Sequence, residues 1–167
     1  MIIGLISDTH GLLRKEVVEK LRGCDLIIHA GDIGKIEVVE KLKDIAQMEL
    51  VKGNCDKNID SNIMPEEKII EVSGKRIYLI HDIGKLKVDF KKENIDIVVY
   101  GHSHKKNIYE ENGIIYINPG SVGPKRFKLP ITMAKLYINE KKVNKEISKE
   151  DIFKLNEYYV EFIDVLK

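Results

Sequence analysis

The sequence has no tryptophan, only two cysteines and no long apolar run. The low cysteine count and the lack of a long apolar run each exclude a class of protein. Cys24 and Cys55 cannot form the disulfide framework of a small secreted domain, which favours a reducing, cytoplasmic location. No segment approaches the roughly 20 apolar residues that a membrane-spanning helix needs. The apolar N-terminal stretch reaches Asp8 without a basic start or a small-residue cleavage site, so we expect neither a signal peptide nor a membrane partner.

The sequence also lacks an imbalance of charge. Its 28 Lys and Arg residues against 27 Asp and Glu residues leave a net charge of +1 over 167 residues. A long nucleic acid is bound mainly through many lysine and arginine contacts to phosphates, so none is expected as a partner, whereas a mononucleotide or a cyclic nucleotide stays open. The length is that of one domain and no linker or repeat interrupts it, so residues 1–167 are predicted to form a single domain.

Strands and helices alternate in the first half of the chain. Apolar runs predict strands over 1–7, 25–29 and 49–52, and amphipathic patterns predict helices over 13–21 and 36–45. A β-α-β-α-β order predicts parallel strands that are joined by right-handed crossovers.

The second half predicts hairpins mixed with single strands. Hairpins are predicted for 68–73 with 76–80, around Gly74-Lys75, and for 131–138 with 142–147, around Asn139-Glu140. The remaining predictions are a short helix over 86–92, strands over 95–100 and 114–118, and a last helix over 149–165 capped by Ser148. This mixture implies two sheets or one large mixed sheet.

Polar clusters follow nearly every predicted strand. They are Ser7-Asp8-Thr9-His10-Gly11, Gly31-Asp32-Ile33-Gly34, Gly53-Asn54-Cys55-Asp56, His81, and Gly101-His102-Ser103-His104. Ligands of open α/β sheets bind at the carboxyl ends of parallel strands. Because residues two apart in an extended chain point the same way, the pairs Asp8/His10 and His102/His104 could each supply two ligands to one site. Such donors suit Mn²⁺, Fe²⁺, Co²⁺, Ni²⁺ or Zn²⁺.

Each cluster taken singly has a simpler interpretation. Asp8 and Asp56 could cap turns, and the histidines of the 101–104 cluster could be exposed polar residues. His29, inside the second predicted strand, is interpreted as a hydrogen-bonded core histidine. The segment 118–130 contains three prolines and three cations, and it is either a phosphate-attracting loop beside the site or a solvated surface loop.

Together, the five ordered motifs resemble the calcineurin-like metallophosphoesterase family, and within it the small phosphodiesterase branch of bacteria and archaea. That branch is related to the retromer vacuolar-sorting subunit, which serves as a scaffold. The resemblance implies an α/β fold: a four-layer αββα sandwich of two mixed β-sheets face to face with flanking helices. It also implies a phosphoric diester hydrolase for a small, possibly nucleotide-derived phosphodiester, and a possible homo-oligomer.

Carried over position by position, the resemblance implies a dinuclear metal site. The ligands would be Asp8, His10 and His104 for one ion, Asn54, His81 and His102 for the other, and Asp32 as a bridge. The expected ions are two Mn²⁺, with Ni²⁺, Co²⁺, Fe²⁺ or Zn²⁺ as alternatives. A metal-bound hydroxide would attack phosphorus while Asn54 orients the phosphate, so the residues expected to act in catalysis are Asp32, Asn54 and His102.

Two positions depart from the family pattern. Cys55 stands where the family usually has a histidine that is thought to protonate the leaving group, so activated esters and diesters are expected to be favoured over alkyl monoesters. It is not expected to be a ligand, because its side chain should point away from that of Asn54. Asp82 replaces the usual glycine after His81, either as a hydrogen-bond acceptor for a ligating histidine or as part of a rebuilt loop. The alternative functions are a protein-interaction scaffold, against which the full ligand set argues, and a nucleotide-handling phosphohydrolase or nuclease.

Overall fold

The computed structural model describes residues 1–58, 62–139, 152–155 and 158–167. Its elements in chain order are β1 (Ile2–Ile6), α1 (Lys15–Leu21), β2 (Leu26–His29), α2 (Ile36–Lys43), β3 (Gln47–Leu50), β4 (Glu67–Val72), β5 (Lys75–Ile80), β6 (Ile97–Val99), β7 (Lys106–Glu111), β8 (Ile114–Pro119), β9 (Thr132–Ile138), β10 (Ile152–Leu155) and β11 (Tyr158–Asp164). Single 3₁₀ turns occur at Asn54–Asp56 and Ile83–Lys85. No helix in these described ranges has the length and apolar character to cross a membrane.

The strands form two mixed sheets. Sheet A has the order β10-β11-β9-β1-β2-β3, and sheet B has the order β4-β5-β6-β8-β7. In sheet A the first three strands of the chain are parallel, and in sheet B β5, β6 and β8 are parallel. The remaining pairs are antiparallel. The parallel first half, the hairpin of β4 with β5, and the sandwich of two mixed sheets are therefore confirmed.

The apolar runs are explained by burial on both faces of sheet A. Along β1, Ile3 and Leu5 belong to the core between the two sheets, whereas Ile6 belongs to the core beneath α1 and α2. Because consecutive strand residues face opposite sides, a strand that is covered on both sides has no polar positions. This is why the first strand reads as a continuous apolar run.

The outer face of sheet B is covered by the segment 83–95 rather than by an α-helix. Leu86, Val88 and Phe90 pack against a cluster that contains Tyr78 and Tyr116. Apolar residues that recur every second position suit an irregular or extended chain and do not form a helical stripe. The short helix predicted over 86–92 is therefore wrong, and the fourth layer consists of this segment with its 3₁₀ turn.

The C-terminal segment differs most from its prediction. Residues 149–165 were expected to form a helix, but the described part forms β10 and β11. Tyr158, Val160 and Phe162 all face the core between the sheets, and β11 runs antiparallel to β9. A spacing of two residues between buried side chains requires a strand, and the lysines and glutamates of this segment hide that alternation.

Two further outcomes complete the comparison. The edge strand β7 was not predicted, because most of its side chains are exposed and polar. The predicted strand over 142–147 and the Ser148 cap lie outside the described residues. The other predicted strands and helices occur, with ends shifted by at most two residues.

Candidate metal centre

The seven residues expected to bind metal lie in loops at the carboxyl ends of five strands. Asp8 and His10 follow β1, Asp32 follows β2, Asn54 follows β3, His81 follows β5, and His102 and His104 follow β6. These are parallel strands of the two sheets, so their carboxyl ends meet at one edge of the sandwich. The structure brings all seven side chains together there.

Three of these residues form the first group. His104 Nε2 lies 3.2 Å from Asp8 Oδ1 and 3.3 Å from His10 Nε2, and the rings of the two histidines are stacked with centroids 5.2 Å apart. His10 Nε2 lies 3.9 Å from the same Asp8 oxygen. These three ligand atoms could bind one cation together.

Asp32 joins this group to the remaining ligands. Its Oδ2 atom lies 3.7 Å from His10 Nε2 and 3.5 Å from His81 Nε2. Asn54 Nδ2 lies 3.3 Å from His102 Nδ1, and the His102 ring packs edge-on against the His81 ring at 5.2 Å. Asp32 thus occupies the central position between the two sets that was expected of a bridging ligand.

The backbone of this site is strained. Asp8, His10, Asp32, His102 and His104 all have positive φ angles, between 46° and 68°. An L-residue in the left-handed region costs on the order of 1–2 kcal/mol, and such residues concentrate at functional sites. The pairs Asp8/His10 and His102/His104 do reach a common centre, but the extended chain that was expected to bring them there is wrong.

The buried polar atoms of the site lack protein partners. Among the described residues, five buried side-chain nitrogen and oxygen atoms have no hydrogen-bond partner, and four of them belong to this site: both carboxylate oxygens of Asp8, His81 Nε2 and His104 Nδ1. Asp8 is 0% exposed. An uncompensated buried carboxylate costs several kcal/mol, so this arrangement is chemically reasonable only around a cation. The donors present therefore fit a divalent metal site.

The electrostatics of the site also favour positive charge. Burial alone would raise the pKa of Asp32, but the attraction of the neighbouring His81 ring and the hydrogen bond from the backbone N–H of Cys55, at 2.8 Å, hold that pKa below its usual range. Burial alone would lower the pKa of His81, but Asp32 raises it. For His10, burial outweighs the attraction of Asp32 and lowers the pKa, which leaves the imidazole neutral and able to bind metal at neutral pH.

Asp56 fixes the two loops that carry Asp32 and Asn54. Its carboxylate is 1% exposed and accepts hydrogen bonds from the backbone N–H groups of Ile33 (3.0 Å), Gly34 (2.8 Å) and Gly53 (2.9 Å). The interpretation of Asp56 as a turn cap is therefore confirmed, and the capped loops are those of the site.

His29 lies beneath the site as a fully buried core residue, as predicted. Gly31 N–H donates to His29 Nδ1 at 3.2 Å, so the other ring nitrogen carries the proton and donates to Thr9 Oγ1 at 2.9 Å. Thr9 in turn donates to the Ile33 carbonyl at 3.0 Å. Burial lowers the pKa of His29 to about 4 and keeps it neutral.

Comparison with known proteins tests the resemblance directly. The sequence model of the calcineurin-like phosphoesterase superfamily domain matches residues 1–141. The chain belongs to this superfamily. A probable metallophosphoesterase of Methanocaldococcus jannaschii is 35% identical over 164 residues, covering 90% of this chain and 83% of that protein.

Two further known proteins resemble this chain. A phosphodiesterase of Methanocaldococcus jannaschii is 28% identical over 138 residues, covering 72% of this chain and 83% of that protein. The structure of Vps29 from Entamoeba histolytica in complex with zinc has the same fold, with a TM-score of 0.69 at 21% identity over 99% of both chains. The protein is therefore a member of the metallophosphoesterase family, and the predicted α/β sandwich is confirmed.

The two positions that depart from the calcineurin-like pattern lie in different surroundings. Cys55 is exposed, and its Sγ lies 3.4 Å from His10 Nδ1, with its sulfur near the ligand atoms of His10 and Asp32. Cys55 therefore lies beside two of the expected metal ligands, and its exclusion from the ligand set stays a prediction. Asp82 accepts a hydrogen bond from Gly84 N–H at 3.0 Å and lies 4.0 Å from Lys85, so these contacts belong to a rebuilt loop rather than to a ligating histidine.

Two cations contact the centre: one comes from a segment whose role the sequence left open, and sequence reasoning missed the other. Arg126 Nη2 lies 3.4 Å from His10 Nε2, although 116 residues separate them in sequence. Lys85 Nζ lies 3.5 Å from Asn54 Oδ1. The first contact favours the interpretation of the 118–130 segment as a loop that borders the site. Only the presence of cations in that segment could have indicated it, and nothing in the sequence pointed to Lys85.

Proposed function

We propose that this protein is a metal-dependent phosphodiesterase with a dinuclear centre. The observation that carries the proposal is the buried Asp8 carboxylate, whose two oxygens lack hydrogen bonds and face the imidazoles of His10 and His104. Membership of the calcineurin-like superfamily and the phosphodiesterase named among its relatives support the same activity. The proposed substrate is a small phosphodiester, and nucleotide-derived diesters are one class that would fit.

Each ion would be held by three residues of its own, and a seventh residue would bind both ions. The proposed ligands are Asp8, His10 and His104 for the first ion, Asn54, His81 and His102 for the second, and Asp32 between them. Manganese is the proposed ion, since nitrogen and carboxylate donors without a buried thiolate suit it, and nickel, cobalt, iron or zinc would fit the same donors.

A bound pair of divalent ions would acidify a water molecule, whose hydroxide attacks phosphorus, and would neutralise charge on the phosphoryl oxygens. The chain's own residues prepare that reaction. His81 donates its Nδ1 proton to the Ala30 carbonyl at 2.7 Å, which directs its Nε2 toward Asp32. Asn54 and His102 are exposed at the mouth of the site, where the Asn54 amide can orient a phosphate.

The test is hydrolysis of bis(4-nitrophenyl) phosphate and of 4-nitrophenyl phosphate with Mn²⁺, Ni²⁺, Mg²⁺ or a chelator. We expect diester turnover that requires metal, and its loss in the Asp8→Asn and Asn54→Ala variants. Asp25→Asn is the matched control, because Asp25 accepts a hydrogen bond from Ile2 N–H at the opposite end of sheet A. Inertness of the wild type with every metal would contradict the proposal and favour a scaffold.

A cytoplasmic location accompanies this proposal. It is supported by the two free cysteines, of which Cys24 is buried and Cys55 is exposed. A homo-oligomer stays a prediction.

A further inference from the structure

A cavity of about 530 Å³ opens beside the candidate metal centre. Asn54 and His81, two of the proposed ligands, line it together with Gly53. Its other walls come from the ends of β3 and β5 and the start of β4, which are close to the open edge of the sandwich. The volume falls within the range of small-molecule sites, so the cavity can hold a substrate group that extends from the centre.

The walls of this cavity carry four lysines: Lys52, Lys57, Lys85 and Lys87. The lining also carries three carboxylates, those of Glu66, Glu67 and Asp82, which keep their negative charge although two of them accept hydrogen bonds. Glu67 accepts the hydrogen bond of the Tyr78 hydroxyl at 2.5 Å, and Asp82 is bound to the Gly84 N–H.

The lysines are not neutralised to the same extent. Lys57 and Lys87 are exposed and form no ion pair with any residue that the structure describes. Lys85 extends toward the centre, since its Nζ lies 3.5 Å from Asn54 Oδ1. The distance from the same Nζ to the carboxylate of Asp82 is longer, at 4.0 Å. Among the residues that the structure describes, Ile80 is the one aliphatic side chain in the lining.

We propose that this lysine-lined cavity binds a second phosphate group of the substrate, on one of the two alcohols that the scissile phosphodiester joins. The inference rests on the proposed phosphodiesterase function and restricts its substrates to phosphodiesters that carry a second phosphate group. Lysine is a mobile point charge that suits a phosphate, and the exposed ammonium groups of Lys57 and Lys87 can attract a dianion. The scissile phosphate would lie at Asn54, and Lys85 would stand between the two anionic groups.

The test compares two chromogenic diesters that differ only in this group: thymidine 5′-(4-nitrophenyl phosphate) and the same compound with a 3′-phosphate. With Mn²⁺ present, kcat/KM of the wild type should be about tenfold higher for the 3′-phosphorylated substrate. The double variant Lys57→Gln/Lys87→Gln should reduce this preference to below about twofold. Lys43→Gln is the control, because Lys43 lies in the last turn of α2, outside the cavity lining, and it should keep the preference.

The outcomes separate the two proposals. Equal kcat/KM of the wild type for both diesters, or an undiminished preference in the double variant, would overturn the cavity assignment while leaving the phosphodiesterase intact. If neither diester is hydrolysed, calorimetric binding of thymidine 3′,5′-bisphosphate decides. Binding that weakens in the double variant would support the cavity although the phosphodiesterase proposal had failed, and unchanged or absent binding would contradict it.

Discussion

Replacement of Asp56 by alanine should destabilise the protein strongly, because this carboxylate connects two loops of the metal centre. Its Oδ2 atom accepts from the N–H groups of Ile33 and Gly53, and its Oδ1 atom accepts from Gly34. Alanine would leave these three donors without a partner. Because the loops carry Asp32 and Asn54, the same change should also weaken metal binding.

The magnitude follows from the burial of the three donors. Each buried donor left unsatisfied costs about 1–3 kcal/mol. The Ile33 N–H is buried, whereas the Gly34 and Gly53 donors are only partly buried and water can reach them in the variant. We therefore expect a loss of about 3–5 kcal/mol for Asp56→Ala and about 1.5–3 kcal/mol for Asp56→Asn, which keeps one oxygen acceptor.

The assay is urea unfolding with chelator present, so that metal binding does not enter the measured free energy. Asp89→Ala is the matched control, because Asp89 also accepts from two backbone N–H groups, those of Lys91 and Lys92, but at an exposed site. It should lose less than about 1 kcal/mol. Equal losses for the Asp56 and Asp89 variants would refute the reasoning, and Asp56→Asn keeps the test usable if the alanine variant does not fold.

Three further predictions follow from the surroundings of the site. The pKa of His29 is about 4 in the folded state against 6.5 in the unfolded state, so the stability that depends on its neutral form is complete above pH 6.5 and is lost as the pH falls to 4. Between pH 7 and pH 4, the free energy of unfolding in urea should therefore fall by about 3 kcal/mol less in His29→Gln than in the wild type. An identical fall in both proteins would be inconsistent with a buried neutral His29. Cys55→His should raise turnover of 4-nitrophenyl phosphate by on the order of 10²-fold through a restored general acid, and an unchanged rate would show that Cys55 does not limit monoester hydrolysis. Gly53→Ala should weaken Mn²⁺ binding at least tenfold, because a methyl group at this position would collide with the Asp32 carboxylate. The affinity is measured by calorimetry, and an affinity equal to that of the wild type would argue against a fixed Asp32.

Much of the site could be predicted because it lies where parallel strands end. The positions of Asp8, Asp32, Asn54 and His81 after apolar runs were visible in the sequence, and the order of the strands brings their loops to one edge. The left-handed backbone of the ligands was not visible, because the polar residues in these loops are equally common in ordinary turns.

The errors arose where the local pattern was weak or the partner was distant in sequence. The strand β11 was taken for part of a helix because Ser148 resembles a helix cap and because lysines and glutamates upstream of the strand, within 149–157, hide its alternation of buried residues. The contact of Arg126 with His10 spans 116 residues and leaves no periodic signal. Such contacts are determined by the packing of the two sheets, and no single segment encodes them.

The most direct test of the central claim is anomalous diffraction at the manganese edge from crystals grown with Mn²⁺. We expect two peaks per chain, with the Asp32 carboxylate in contact with both. Asp8 should bind one ion and His102 the other. A map with no peak at Asp32 would contradict the account.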